Sequence, residues 1–201
     1  MPELSHREKA IKLARQKGVA RTRDFDAIGV PRVYLQRLEK DGVLVRPSRG
    51  FYQLAGADTS AAHSLAEAAK ATPKGVIALL SALQFHELTT QTPHEVWLLL
   101  PSKAWAPTDP PVKLRIMRAS DATLQAGVER HKIDGVSVPI TSPAKTVADC
   151  FKYRNKIGLD IALEALRDAL RTKRATVDAI WRFAQLNRVA TVMRPYLEAT
   201  Q

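Results

Sequence analysis

The side chains best suited to chemistry lie between residues 32 and 49, and most of them are basic or carry an amide. They form two groups, the first being Arg32, Val33, Gln36, Arg37 and Lys40 and the second Arg46, Ser48 and Arg49. Arginine can pair with guanine and glutamine with adenine, and an apolar side chain can contact the thymine methyl. The first group therefore predicts contacts to base edges of duplex DNA. A solvated charged face is the alternative for an isolated helix.

The element that must position the first group is a helix from Pro31, which suits a first helical position, to Gly42. At about 100° per residue, Pro31, Tyr34, Leu35 and Leu38 fall on one side, which predicts the buried face. The five residues of the first group fall on the other side. The pattern thus predicts a recognition helix with an apolar back and a basic front.

Two shorter patterns precede this helix and give it context. Ser5 followed by Glu8 matches a capping box that starts a helix, and Gly18 is a plausible stop. Thr22 is expected to cap a second helix that carries Phe25 and Ile28, before a tight turn at residues 29–30. This order is that of a helix-turn-helix.

A β-hairpin is predicted directly after the recognition helix. Residues 43–45 and 51–54 are β-prone, and residues 46–50 connect them. Arg46, Ser48 and Arg49 lie in this connection, where they could contact phosphates or the minor groove. An ordinary surface hairpin is the alternative, but the order helix-turn-helix-hairpin favours the wing of a winged helix.

Charge is concentrated at the N-terminus. The formal net charge is +11, and residues 1–54 contain 12 Lys and Arg against 6 Asp and Glu, whereas residues 55–201 contain 19 against 14. An excess of basic groups favours a polyanionic partner. We predict a winged helix-turn-helix at 1–54, a small polar linker at 55–60 and a second domain at 61–201.

The second domain is predicted to be α+β, with a small sheet and a helical C-terminal part. Residues 60–86 look helical with a break at 72–75, and the apolar run at 76–83 predicts a buried helix. Strands are expected at 96–100, 112–117, 128–133 and 136–140, with an irregular loop at 104–111. Ser142-Pro143 marks a helix start, and helices are expected at 143–154, 159–172, 176–187 and 189–199.

Catalytic patterns are missing from the sequence. There is no metal-ligand spacing among the five His, no nucleophile elbow and no phosphate-binding loop. Cys150 is the only cysteine, which excludes an intrachain disulfide, and its apolar helical context predicts an inert thiol. A nuclease would need a Glu-x-Lys, which does not occur. We therefore expect no enzyme activity, metal or cofactor, and, without a leader or membrane span, a cytoplasmic protein.

A second basic patch is predicted at two helix ends of the second domain. Its members are Lys145, Lys152, Arg154 and Lys156, and then Arg167, Arg171, Lys173 and Arg174. Such charges could simply be favourable near helix C-termini. They could equally add phosphate contacts or engage an RNA or a protein toxin. The sequence leaves both interpretations open.

Three segments together resemble AbiEi-family antitoxins of type IV, abortive-infection toxin–antitoxin systems. They are Arg49-Gly50-Phe51-Tyr52, residues 78–89 and residues 138–149. The resemblance implies a repressor of its own operon that counters a nucleotidyltransferase-like toxin in phage defence, without a stable complex and through the C-terminal domain. The alternatives are a regulator whose second domain senses a ligand or partner and a DNA nuclease.

Overall fold

The computed structural model describes residues 5–17, 20–55 and 61–199. It divides the chain into two compact units. The first comprises residues 1–73, 106–113 and 131–138, and the second comprises residues 74–105, 114–130 and 139–201. Helices and small sheets occur together, so the predicted α+β class is confirmed.

The first unit contains the helix-turn-helix and wing. Its helices are α1 (His6–Lys17), α2 (Thr22–Asp26) and α3 (Arg32–Lys40), and its strands are β1 (Ala20–Arg21), β2 (Leu44–Ser48) and β3 (Phe51–Leu54). The strands form an antiparallel sheet in the order β1-β3-β2. Strand β1 was not predicted, because two residues are too few to establish an alternating pattern.

Local hydrogen bonds explain where the first two helices begin. The Glu8 carboxylate accepts from the Ser5 backbone N–H at 2.8 Å, as the capping box predicts. The predicted cap of α2 is wrong: Thr22 is its first helical residue, and Asp24 accepts from the Arg21 N–H at 2.8 Å. Ile28 lies in the following turn and is exposed, because α2 ends at Asp26.

The core of the first unit lies between α1, α2, α3 and the sheet. Phe25, Leu35 and Leu38 are buried in it, and Tyr52 packs edge-on against Phe25 with ring centroids 6.0 Å apart. The apolar back of α3 is narrower than predicted. Pro31 and Tyr34 are exposed, because only the i, i+3 pair Leu35 and Leu38 faces the core.

Helix α4 (Ala61–Ala71) also belongs to the first unit. Its Lys70 lies 3.9 Å from Asp24 of α2, and the buried His63 of α4 is paired with Gln53 of β3. Of the predicted linker 55–60, Ala55 is in a turn, and residues 56–60 lie outside the described residues, as does the predicted helix stop Gly18.

A five-stranded sheet has the order β6-β5-β4-β8-β7. Its strands are β4 (Val76–Ile77), β5 (Val96–Pro101), β6 (Leu114–Ala119), β7 (Val128–Ile133) and β8 (Val136–Thr141). The predicted helix over the whole run 76–83 is wrong at its start. Val76 and Ile77 pair with β5, and Ile77 also pairs with β8, because β-branched residues favour a buried central strand.

The helices of the second unit cover its core. They are α5 (Leu79–Phe85), α6 (Asp121–Gln125), α7 (Pro143–Lys152), α8 (Arg154–Ile157), α9 (Leu159–Arg171), α10 (Val177–Leu186) and α11 (Ala190–Glu198). The predicted start of α7 is confirmed, since the Ser142 side chain caps it by accepting from the Lys145 N–H. Helix α6 was not predicted. No helix in the described ranges is long and apolar enough to cross a membrane.

Candidate nucleic-acid interface

The outer face of α3 is open to solvent along its whole length. All five predicted base-contacting side chains are exposed there: Arg32, Val33, Gln36, Arg37 and Lys40. Val33 is the clearest case, because 74 % of this apolar residue is exposed. Meanwhile Leu35 and Leu38 anchor the helix from behind, so the donor groups stand on a rigid element. Such a face can enter a groove without rearrangement of the fold.

Arg32 is already oriented by a neighbouring carboxylate. Its Nη2 donates to Asp26 Oδ2 at 3.2 Å, and the Arg32 side chain is still 74 % exposed. An exposed ion pair of this kind contributes little to stability. The guanidinium can therefore exchange this contact for a base or phosphate at small cost.

The wing presents cations on aromatic supports. The Arg46 guanidinium lies over the Tyr52 ring, 5.8 Å from its centroid. Arg49 is exposed in the two-residue turn, where Gly50 adopts a φ of +83° that glycine tolerates best. The predicted connection 46–50 is too long, because Arg46 and Ser48 lie in β2 and only Arg49 and Gly50 form the turn. Ser48 ends β2 opposite Phe51, and its side chain lies outside the described residues.

Two further arginines beside the wing were not predicted as site residues. Arg21 lies over the Phe51 ring at 5.7 Å, and Arg23 is exposed on α2. Thr22, between them, donates both its N–H (2.9 Å) and its hydroxyl (3.3 Å) to the Gly50 carbonyl, which ties α2 to the wing turn. The presence of two arginines within residues 21–23 was a signal in the sequence. It did not predict a surface, because α2 has only five residues and so short a helix shows no periodic pattern of buried and exposed positions.

The structure removes one residue, Lys145, from the predicted second basic patch. Lys145 is fully buried and cannot belong to a surface patch, because α7 is enclosed by α5, α9 and α10. Its ammonium forms an ion pair with the buried Asp149, whose Oδ1 also accepts from Asn187 Nδ2 at 2.7 Å. Burial raises the pKa of Asp149, and the charge and hydrogen bond of Lys145 oppose that rise.

The other predicted members lie at or near the surface and are partly neutralised. Arg171 pairs with Asp168 at 2.8 Å and Arg174 with Glu87 at 3.3 Å, while Lys156, Arg167 and Lys173 are exposed. Lys152 and Arg154 are half-buried, and Arg154 donates to the Phe151 carbonyl at 2.9 Å. The positive electrostatic potential at the surface of these seven residues is therefore weaker than their formal charges alone would produce.

Candidate metal ligands do not converge in the described ranges. No three His, Cys, Asp or Glu side chains there could hold a metal ion together. Cys150 is buried as predicted, and burial raises the pKa of its thiol well above the usual value. The His86 ring donates from Nε2 to the Thr141 carbonyl at 2.7 Å, so His86 is a satisfied polar residue, as expected.

The fold and exposed basic face place the N-terminal unit in the class of winged helix-turn-helix domains. The model of the family described as "Transcriptional regulator, AbiEi antitoxin" matches residues 8–55. The predicted resemblance to AbiEi antitoxins is therefore confirmed over this segment.

One solved structure is similar over almost the whole chain. It is the crystal structure of the RV2827C protein from Mycobacterium tuberculosis, with a TM-score of 0.56 and 14 % sequence identity. The similarity covers 99 % of this chain and 81 % of that one, and at this identity it shows a shared fold alone. No curated protein matches the chain.

Proposed function

We propose that this protein is a DNA-binding antitoxin that represses its own operon and counters a nucleotidyltransferase-like toxin of a type IV phage-defence system. The observation that carries the DNA-binding part is the fully exposed outer face of α3, with Leu35 and Leu38 fixed behind it. The family match over residues 8–55 supports the antitoxin part. The protein acts here as a cytoplasmic binding protein without a catalytic step or cofactor.

In this proposal α3 reads bases and the neighbouring cations fix its register. Arg37 and Gln36 contact base edges in the major groove, and Val33 contacts a thymine methyl. Arg46, Ser48 and Arg49 of the wing contact the backbone or minor groove, while Lys40 and Arg23 contact phosphates. The basic surface of residues 1–54 supplies the nonspecific attraction.

The experiment is a gel shift with the DNA immediately upstream of this gene, at fixed salt. Arg37→Ala is expected to weaken specific binding by about 1–3 kcal/mol, as for loss of a bidentate base contact. Lys12→Ala on α1 is the matched control, because Lys12 is also exposed and cationic but lies off α3. Equal affinity of Arg37→Ala and wild type would refute the assigned face.

The antitoxin part is tested separately with the full chain. The protein is co-expressed with a nucleotidyltransferase gene adjacent to its own, and growth is measured beside a promoter reporter. Arg37→Ala should lose repression yet still rescue growth, because we place antitoxicity in the second domain, 61–201. If wild type represses but never rescues growth, the protein is a regulator only. A stable toxin complex in gel filtration would contradict the type IV assignment.

A further inference from the structure

An exposed tryptophan of the second unit has no role in operator binding as proposed above. Trp105 follows β5 and is 95 % exposed, which is the largest exposure among the large apolar residues of the described chain. An exposed indole offers a large flat face on which an aromatic group of a ligand can stack. Its surroundings decide which ligand that is.

The backbone beside Trp105 is held in place by Arg118 of β6. Arg118 Nη1 donates to the Pro101 carbonyl at 2.9 Å and to the Ala104 carbonyl at 2.6 Å. The Ala104 N–H also donates to Pro101, at 3.0 Å, which closes a turn just before Trp105. The indole therefore projects from a hydrogen-bonded turn. The Arg118 guanidinium lies next to the backbone of Ala104, the residue that precedes Trp105.

The same surface continues through Tyr153 to two more cations. The Tyr153 hydroxyl donates to the Arg118 carbonyl at 2.9 Å, and Lys152 Nζ lies 5.9 Å from the centre of the Tyr153 ring. Burial lowers the pKa of Lys152, and the nearby positive charges of Lys145 and Arg188 lower it further, although Asp149 opposes them. Of these two cations only Arg188 is exposed, so an anion bound between Lys152 and Arg188 would relieve their repulsion.

We propose that Trp105, Arg118, Tyr153, Lys152 and Arg188 form a binding surface for single-stranded nucleic acid. A base stacks on the indole of Trp105, while the cations contact the adjoining phosphates. The combination of aromatic rings with cations and no carboxylate among the five residues favours this ligand, because nucleic acid supplies both stacking bases and negative phosphates. It also favours single strands over duplex, whose bases already stack on each other.

The test uses the full-length protein and two fluorescently labelled probes of ~12 nucleotides, oligo(U) RNA and oligo(dT) DNA, within the usual site size. Anisotropy is measured at several salt concentrations. Trp105→Ala should weaken binding about tenfold, and Trp105→Phe should stay close to wild type, since stacking needs only an aromatic face. The two probes show whether the sugar matters.

The phosphate contacts have their own variant. Lys152→Gln with Arg188→Gln should flatten the salt dependence of single-strand binding, because fewer counterions are released. Neither this double variant nor Trp105→Ala should change the gel shift with the upstream duplex. The thermal unfolding midpoint of Trp105→Ala should match that of wild type, because the Trp105 side chain is exposed. This separates the proposal from operator binding by α3.

Three results would overturn the proposal. They are no binding of wild type to either probe, unchanged single-strand affinity in Trp105→Ala, and equal loss of duplex and single-strand binding in that variant. Loss of toxin neutralisation by Trp105→Ala with normal binding to both probes would also overturn it and assign the surface to a protein partner.

Discussion

Helices α3 and α7 carry similar side chains in opposite surroundings. On α3, Arg37 and Lys40 point to solvent, whereas on α7 Lys145 and Asp149 are fully buried. The difference comes from how much of each helix its neighbours cover. Helix α3 packs with one face against α1, α2 and β2, while α7 is enclosed by α5, α9 and α10. The same charge is therefore open to solvent and ligands in one helix and a packing constraint in the other.

This comparison separates the expected effects of substitution. Removing a cation from α3 should change affinity for DNA and leave stability intact, because surface substitutions usually stay within about 0.5 kcal/mol. Removing a cation from α7 should do the reverse, since a buried carboxylate would lose its partner.

The largest effect is expected for Lys145→Met. The variant leaves Asp149 buried with only Asn187 as a partner, and breaking a buried pair costs about 3–5 kcal/mol. Urea denaturation monitored by circular dichroism measures it. Lys40→Met on α3 is the control and should differ from wild type by less than about 0.5 kcal/mol.

A double variant distinguishes the lost pair from lost volume. Lys145→Met combined with Asp149→Leu should recover much of the stability, because an apolar pair needs no partner in the interior. If the double variant is as unstable as the sum of the single ones, the ion pair is not the reason for the loss.

Two glycines extend the contrast to packing. A Cβ at Gly127 would lie 2.6 Å from the Phe183 ring and 2.9 Å from Lys145 Cβ, whereas a Cβ at Gly29, just before α3, meets nothing within 4 Å. Both have positive φ, of +61° and +74°. Gly127→Ala should cost roughly 2–4 kcal/mol from strain and overpacking, and Gly29→Ala only about 1–2 kcal/mol from strain. Equal costs would contradict the tight interior around α7.

A smaller effect is expected in the wing, where Arg49 contacts the backbone in our proposal. Arg49→Ala should weaken operator and nonspecific duplex by similar, several-fold factors and reduce the salt slope by about one. Gel shifts at several salt concentrations provide the test. A loss confined to the operator would mean that the wing reads bases, as α3 does.

The smallest effect is expected for Asp24, whose contribution to stability depends on pH. Burial alone would raise its pKa, but hydrogen bonds from the Arg21 N–H and Lys17, with the charge of Lys70, lower the pKa overall. A lowered pKa means that this carboxylate stabilises the fold above its unfolded pKa and that the contribution is lost as pH falls through the folded value. Asp24→Asn should cost less than about 1 kcal/mol at pH ~7.

The comparison for Asp24 is made across pH. Wild type and Asp24→Asn should converge in urea stability as the pH falls through the folded pKa, because Asp24 is then neutral in both. A stability difference that persists in strong acid would come from the introduced amide, which would disturb α2. It would not come from the ion pairs with Lys17 and Lys70, because Asp24 is then uncharged in wild type as well.

Sequence reasoning succeeded where one periodic pattern decides the structure. The exposed face of α3 and the caps at Ser5 and Ser142 follow from spacing within one element. The hairpin follows from two adjacent β-prone runs, although its first strand extends further than predicted, to Ser48. It failed where neighbours distant in sequence decide. Val76 and Ile77 form a strand because β5 and β8 flank them, and Lys145 is buried because three helices surround it.

One signal for the burial of Lys145 was present in the sequence. Lys145 and Asp149 are opposite charges at i and i+4 on a helix that is otherwise apolar, and such a pair can be satisfied inside a protein. The membership of α4 in the first unit had no comparable signal, because its ion pairs from His63 to Asp134 and from Lys70 to Asp24 join residues far apart in the chain.

The buried thiol has a practical consequence for spectroscopy. Cys150 is the only cysteine in the chain, and its burial and raised pKa keep it unreactive toward maleimides in the folded state. A cysteine introduced on the surface, in the wing turn or on α3, can therefore be labelled selectively with no need to remove the native one. The native protein is in this sense a ready background for single-site dyes or spin labels that report contact with DNA.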